Sequence, residues 1–572
     1  MTFRVRPVDR GRQTRDPNRR TLYMNVAFGI TVVVAILILV IVGATTWYNS
    51  HLAAAATVNG QTITKDQFVE RAAVEQFRLQ QLASRVNAEV AAGRLTSAQA
   101  STRITAINNQ LSSTTFATTI IEKLIDTTIQ AKLAGELGVV ATAAQIDQRI
   151  VDDKTRKEER HAWLIAIAPD VDPGKTVSTD AQKAAAKAKA DAALNSIKVG
   201  KPFADVAKAV STDPSKTSGG DLGWIDSTAA EDADWKTAMF KLDVNGLTDV
   251  ILGSDGTYRI GQVTEIVPAQ VDAAWDQKLA DAKIKPEAYR AAIASEVLRT
   301  ALGERIVADD SAAGPQKQVQ ELFIRAASPA PSAGAIKVRH ILFSPKGDPS
   351  GASTIPATDP SWTAAQLAAQ AAYDKIKANP STFDAVARAQ SNEASAQGDS
   401  GTGGKLPYFD PSSSIDPAFA AAIFRAGLQP GDLIAPFKSA FGWHVVQVMY
   451  RPPDIDEMNK LKAQAATAGT DFGQLVRDFS EGPKSGTGGD LGFIAKGQLD
   501  DRLTAAILAT AVGGISDIVD IPGDGLYLFK ATAERTGTPD AAQLATIKAN
   551  GFSNWYAAKK AAVTITRNLL GG

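Results

Sequence analysis

At 572 residues the chain is too long for a single hydrophobic core, and three or four domains are expected. Its 61 basic and 61 acidic residues cancel, which argues against nucleic-acid binding by the bulk of the protein. The absence of cysteine excludes disulfides, thiolate nucleophiles and Cys-ligated zinc, and the four scattered histidines offer no HExxH-type metal spacing.

Residues 1–21 form a basic tail: seven arginines stand in the first 20 positions against two aspartates, a composition expected to be disordered and to stay on the cytoplasmic side of a membrane. Residues 22–48 carry no charge and are almost wholly aliphatic from Ile30 to Val42. That run is expected to be a transmembrane anchor, since roughly 20 residues span a hydrocarbon core of about 30 Å. Trp47 and Tyr48 would sit at the interface. A cleaved signal peptide is the alternative, with Ala53–Ala56 as a small-residue cleavage site. The apolar run is longer than the roughly 7 to 15 residues of a signal core, which favours the anchor. Either way the chain beyond residue 50 lies outside the cytoplasm.

Residues 57–150 open with a short strand, an Asn59-Gly60 turn and a helix capped by Thr64. Long amphipathic helices follow, with Ile120, Ile121, Leu124, Ile125, Ile129 and Leu133 at helical spacing.

Three stretches, 160–268, 336–452 and 456–535, repeat one pattern. In the middle copy a branched, aromatic strand around Val338–Phe343 carries His340, and a closing strand from Phe441 to Val448 carries His444. Alternation puts both imidazoles on the apolar face, so the rings meet if the strands are neighbours. In every copy a helix-opening Phe precedes a Ser by eight residues: Phe203 and Ser211, Phe383 and Ser391, Phe472 and Ser480. From the second Gly of a Gly pair to the closing strand is 38, 40 and 38 residues, ending on Tyr258, His444 and Tyr527. The third copy lacks an opening strand; it is incomplete or borrows one from a neighbour. Residues 273–325 read as a further helical segment, 326–335 as a Pro/Ser-rich linker, and 540–572 as a closing helix and strand expected to pack back on the N-terminal helices.

The order of strand, helices, Gly-Gly turn, helix and "FGWH" strand resembles the parvulin-type peptidyl-prolyl isomerases, and "VNG-x-x-IT-K-x-x-F" at Val58–Phe68 resembles the start of the chaperone domain of SurA-type and PrsA-type foldases. The fold class this implies is multi-domain α+β: a transmembrane helix, a helical chaperone module, and two to three parvulin-like units, each a small antiparallel sheet flanked by helices. For the middle copy the resemblance implies a catalytic set of His340, Glu393, Ser439 and His444 and a substrate cup of Leu406, Ile415 and Phe419. Glu393 stands where the family has Cys or Asp, and Lys405-Leu406-Pro407 where it has Asp-Leu-Gly. For the first copy it implies a degenerate set of His161, Asp213, Leu222, Trp235 and Tyr258, with Glu231 at a cup position. The third copy has Gly482 in the acid position. The histidine pair of the middle copy admits a second reading, two core residues that satisfy one another.

The function implied is a membrane-anchored, extracytoplasmic prolyl isomerase and chaperone for unfolded exported polypeptides, with no cofactor or metal and no nucleic acid. The alternative is a holdase or assembly scaffold with non-catalytic parvulin units.

Overall fold

The computed structural model describes residues 54–172, 175 and 177–568. The basic tail and the apolar run at 22–48 lie outside these; among the described residues no helix is long and apolar enough to cross a membrane. Two units are distinguished: one runs to Ala301 and takes up the chain again from Thr564, and the other is Leu302–Val563.

In the first unit β1 (Ala54–Val58) and β2 (Gln61–Thr64) form a hairpin. Asn59 and Gly60, both at positive φ, turn it, as a two-residue hairpin loop requires. Thr64 then caps the helix Lys65–Ala91 in a reciprocal box with Gln67. That helix buries Val74 and Phe77 against Ile146 of Ala143–Lys154, Trp275 and Leu279 of Trp275–Asp281, and Tyr289 and Ile293 of Pro286–Asp310. The segments before and after the first repeat therefore share one core, and that repeat is an insertion. Its neck is a two-residue ladder between β3 (Thr155–Arg156) and β8 (Gln270–Val271). Inside the insertion β4 (Glu159–Ile167), β5 (Asp221–Asp226), β6 (Ile251–Leu252) and β7 (Tyr258–Val267) form an antiparallel sheet in the order β5-β4-β7-β6. The C-terminal strand Ile565–Arg567 pairs with β1, and Arg567 salt-bridges Glu122 at 2.5 Å.

In the second unit β9 (Gly314–Arg325) precedes the middle repeat, whose strands β10 (Lys337–Phe343), β11 (Leu433–Lys438) and β12 (Trp443–Tyr450) are ordered β10-β12-β11. Helices Pro360–Ala378 and Phe383–Gln390 cover one face of this sheet through Ala369, Ile376, Phe383 and Val386; Pro417–Ile423 covers the other. The third repeat adds β13 (Asp490–Ile494), β14 (Val519–Ile521) and β15 (Gly525–Gly537), and its sheet is ordered β13-β9-β15-β14. Its central strand thus comes from upstream of the middle repeat.

This corrects two expectations. Residues 273–325 are not helical throughout, because the helix ends at Asp310 and Gly314–Arg325 is extended. The third repeat is not incomplete either; it borrows its opening strand, the alternative the sequence left open, from β9, and the middle repeat is inserted between that strand and the rest. Val319, Leu322 and Phe323 recur at helical spacing among helix-compatible Gln and Glu, only three residues beyond a true helix, so the period-2 pattern was masked. A third correction concerns the C-terminus: the helix Ala541–Ala561 packs on the third repeat as well as on the end of the helix Pro286–Asp310, its Gln543 donating to Phe493 O at 2.7 Å and Asn554 to Gly497 O at 3.0 Å while Phe552 lies over Gly303, and the strand after it pairs with β1. Its buried face, Gln543, Ile547, Gly551 and Trp555, recurs every four residues and matches that surface.

Val319, Leu322, Phe323 and Ile324 of β9 are all buried. At about 1.5–3 kcal/mol each they contribute roughly 6–12 kcal/mol, comparable with the net stability of a domain. A polypeptide starting at residue 453 and ending at 563 is therefore expected to be unfolded by far-UV circular dichroism and amide dispersion. One starting at Leu302 is expected to fold; equal folding of the two would refute the split sheet.

Candidate active site

The middle repeat brings its two strand histidines together. β10 and β12 are antiparallel neighbours with Leu342 opposite His444 and His340 opposite Val446, so the imidazoles meet diagonally. Both are buried, with ring centroids 5.4 Å apart and Nδ1 to Nδ1 3.2 Å. His340 Nε2 pairs with Glu393, which leaves the helix Phe383–Gln390 through the turn that Ser391 braces: Ser391 Oγ accepts from Leu342 N at 3.2 Å and Glu393 N at 3.3 Å. On the far side His444 Nε2 lies 2.7 Å from Ser439 Oγ, which also accepts from Phe441 N at 3.0 Å.

Burial, with the neighbouring His340 adding to it, depresses His444 to about 3, so its ring is neutral at physiological pH. The hydrogen bond from His340 holds Glu393 below the usual carboxylate range against partial burial. With His444 neutral and Glu393 ionised, an arrangement of protons exists that gives every contact a donor and an acceptor. Ser439 O–H donates to His444 Nε2, His444 Nδ1–H to His340 Nδ1, and His340 Nε2–H to the Glu393 carboxylate.

Against this polar chain stands an apolar cup. Phe419 is edge-on to both imidazoles at 5.7 and 5.1 Å, and it packs with Leu406, Ile415, Phe409 and Phe437. Phe437 lies flat on His444 at 5.3 Å. Asp416 positions the cup: its carboxylate accepts from Ala418 and Phe419 N, capping the helix Pro417–Ile423, and from Ala440 N in the loop before His444. The seven residues expected from the sequence, His340, Glu393, Ser439, His444, Leu406, Ile415 and Phe419, thus converge. Phe437 and Asp416 were missed, although Phe437 falls two residues before Ser439 in a β-prone run and Asp416-Pro417 is a cap signal.

Lys405, the departure beside Leu406, faces away from the cup. It is buried, donates to Arg477 O at 2.6 Å, and lies 3.6 Å from Asp384. Burial lowers it to about 8. With Arg339–Asp478 and Lys337–Glu481, both at 2.7 Å, it fastens the middle repeat to the third.

The three repeats can be superposed residue by residue from their shared hydrogen bonds. The second Gly of each pair accepts from the central strand: Gly404 O from His340 N at 2.8 Å, Gly220 O from Leu164 N at 2.7 Å, and Gly489 O from Glu321 N at 2.9 Å. Ser391, Ser211 and Ser480 accept from Leu342, Ala166 and Phe323 N. Opposite these last residues lie His444, Arg259 and Tyr527.

The first repeat therefore carries Leu164 and Arg259 where the middle one carries histidines, which corrects His161 and Tyr258. His161 lies three residues upstream, beyond a bulge in β4, where it pairs with Asp221 and Thr264 at 3.0 Å and stacks on Trp224. The shared Arg-His dipeptide of the two strands is not at equivalent positions. Tyr258 is one residue early, opposite Ile167; Arg259 instead binds Asp255 through both amino groups at 2.8 and 2.7 Å. Asp213, Leu222 and Trp235 do hold the expected acid and cup places, but Asp213 caps the turn Pro214–Ser218 and Trp235 is wholly buried. Glu231, raised by burial and by Asp213, makes that cup polar.

Profiles of the PPIC-type PPIase domain match residues 148–266 and, for a second profile of the same description, residues 340–450 and 453–533. The chain carries PPIC-type PPIase domains. The match to the third domain begins after β9, so its central strand lies outside the matched segment. Among curated relatives, the Chaperone SurA of Bordetella avium is 36% identical over 101 residues, 17% of this chain and 19% of the relative. The Chaperone SurA of Bordetella pertussis is 26% identical over 294 residues, 50% and 46% respectively. The chain thus spans less than half the length of these relatives. Among solved structures, PrsA from Bacillus anthracis is 18% identical, with 41% of this chain and 94% of that chain covered and a TM-score of 0.19.

The depressed His444 has a consequence for stability. Between pH 6.5 and about 3 the unfolded chain takes up a proton that the folded chain refuses, so stability is full above pH 6.5 and declines as pH falls. Glu393, also depressed, adds to the loss below about pH 4.5. The His444 ring nitrogens are expected to keep neutral ¹⁵N shifts, protonated at Nδ1, in spectra recorded at pH 5. Titration of His444 near pH 6.5 would contradict the geometry.

Proposed function

We propose that the middle PPIase domain catalyses cis/trans isomerisation of X-Pro bonds in polypeptides folding outside the cytoplasm. The helical core of the first unit would hold the same non-native chains. The observation that carries this reading is the apolar cup of Leu406, Ile415, Phe419 and Phe437 set against a fully satisfied His340–His444–Ser439–Glu393 chain.

The reaction breaks no bond. The barrier is the amide resonance itself, about 18–20 kcal/mol, and unaided X-Pro isomerisation takes tens to hundreds of seconds. A planar amide is more polar than a twisted one, whose nitrogen and carbonyl have lost conjugation. Moving the prolyl bond from water to the cup therefore disfavours the ground state more than the transition state. The proline ring would sit on Phe419, with Leu406 and Ile415 at its sides. The imidazole nitrogens are committed to Ser439, Glu393 and one another, so the two rings form the fixed polar wall of the cup. Glu393 and Ser439 hold the tautomers and ring orientations, as positioning residues.

Support for the setting comes from the sequence: the arginine-rich tail and the apolar 22–48 run would tether the chain with its N-terminus cytoplasmic and the domains outside. The names of the SurA relatives supply the chaperone component. The holdase reading draws on a specific observation, the loss of both histidines from the first and third domains.

Exchange of a proline tetrapeptide anilide between isomers, followed by NMR with the full chain, decides between the two. Catalysis is expected, and Phe419→Ala should lower kcat/KM about 10–100-fold, the equivalent of one aromatic contact. His444→Ala, with the fold retained by circular dichroism, should also lower it. An unchanged rate in His444→Ala would remove the histidines from the mechanism, and no catalysis by the wild type would leave the holdase.

A further inference from the structure

The third domain has exchanged the polar chain of the middle domain for a single carboxyl without losing the cup. Glu321 holds the strand position of His340, fixed by the same hydrogen bond to the second glycine, and Tyr527 holds that of His444. The acid position, Glu393 in the middle domain, is Gly482, and a side chain there would begin 2.9 Å from Glu321 Oε1. The Glu321 carboxyl therefore reaches into the space that Glu393 fills in the middle domain. One strand residue spans the reach of the His340–Glu393 pair.

No ion pair holds this carboxyl among the described residues. Burial, with the nearby Asp524 carboxylate adding to it, pushes it up to about 7, so a large share of the molecules carry it as a neutral acid able to donate a hydrogen bond. Tyr527 is turned away from it: its hydroxyl donates to Asp524 at 2.5 Å and its ring rests on Phe323 at 4.6 Å. The cup positions remain apolar. Leu491, Leu499 and Leu503 stand where Leu406, Ile415 and Phe419 stand, and they join one cluster in which Leu491 and Leu499 are only partly covered. The first domain differs here, with Glu231 and Arg259 in the corresponding places.

We infer that the third domain holds a second pocket for proline-containing segments of non-native chains, with Leu491, Leu499 and Leu503 around the ring and the Glu321 carboxyl hydrogen-bonded to the prolyl peptide unit. This rests on the reading of the middle cup as a proline site and extends it to a pocket with different polar chemistry. A half-buried carboxyl with no hydrogen-bond or ion-pair partner among the described residues is satisfied by a peptide carbonyl or N–H, and leucines accept a proline ring without demanding a particular neighbour.

The test uses the full chain and a peptide with p-benzoylphenylalanine next to proline, photolysed and mapped by tryptic mass spectrometry. Cross-links are expected in two places, residues 405–441 and residues 490–527. Leu499→Asp should reduce the second at least tenfold and leave the first; Ile415→Asp should do the converse. Because an introduced aspartate can disturb packing, Glu321→Ala and Glu321→Gln provide a second line. The alanine variant should weaken labelling of the third domain about tenfold, the effect of one hydrogen bond, and the glutamine variant, which still donates, should retain it. Labelling of the middle domain alone overturns this inference and leaves the proposed function standing. Labelling of the third alone supports the inference and removes the middle cup from the proposed function. Labelling of neither ends both, and third-domain labelling that survives Leu499→Asp and Glu321→Ala refutes the pocket described.

Discussion

The close crossing of a glycine pair over the central strand is the constraint on which each PPIase domain depends. At Gly404, Gly220 and Gly489 the backbone lies so near the strand carbonyls of His340, Leu164 and Glu321 that any Cβ would collide with them, and φ is positive at all three. The same contact is a backbone hydrogen bond, so it locks the loop to one strand residue and no other. The loop carries the first cup residue two positions later, and the strand residue it grips is the one that faces the cup. One steric requirement thus ties the polar position to the apolar pocket, and the three copies differ in what stands there while sharing the crossing.

That crossing also explains what could and could not be read from the chain. The glycine pairs, the Phe-to-Ser spacing and the cup were legible because they are local and recur in register. His340 and His444 were legible because each sits in a strongly β-patterned run. The first repeat misled because Arg160-His161 copies Arg339-His340 in letters but not in place, and a bulge in β4 resets the register where sequence spacing assumes none. Strand β9 was illegible for a different reason. Its partners lie far downstream, and without them its mixed polar half reads as a continued helix. Non-local pairing is a property of the folded sheet, and a window along the chain does not contain it.

Within the second unit the middle and third domains are joined by cations taken out of water. Lys337, Arg339 and Lys405 are all buried, and each finds an acid or a carbonyl across the boundary. Ion pairs of this kind add little net stability because desolvation offsets the attraction, yet breaking one leaves a buried charge unpaired. They therefore act chiefly on geometry, since a misaligned docking strands three cations. The Lys405 departure from the family pattern belongs to this boundary, and the leucine beside it keeps its place in the cup.

The insertion of one domain within another gives the second unit a built-in order of assembly. Strand β9 leaves the ribosome before the middle domain, whereas β15, the strand it pairs with over twelve residues from Gly314 to Arg325, follows after it. Closing so long a loop in an unfolded chain is entropically slow. A middle domain that has already folded turns that loop into a short tether, because its first and last strands, β10 and β12, are neighbours and hand the chain back beside its point of departure. The domain with the complete histidine site is then the scaffold on which its neighbour's sheet is closed, so the chain carries its own template for that step.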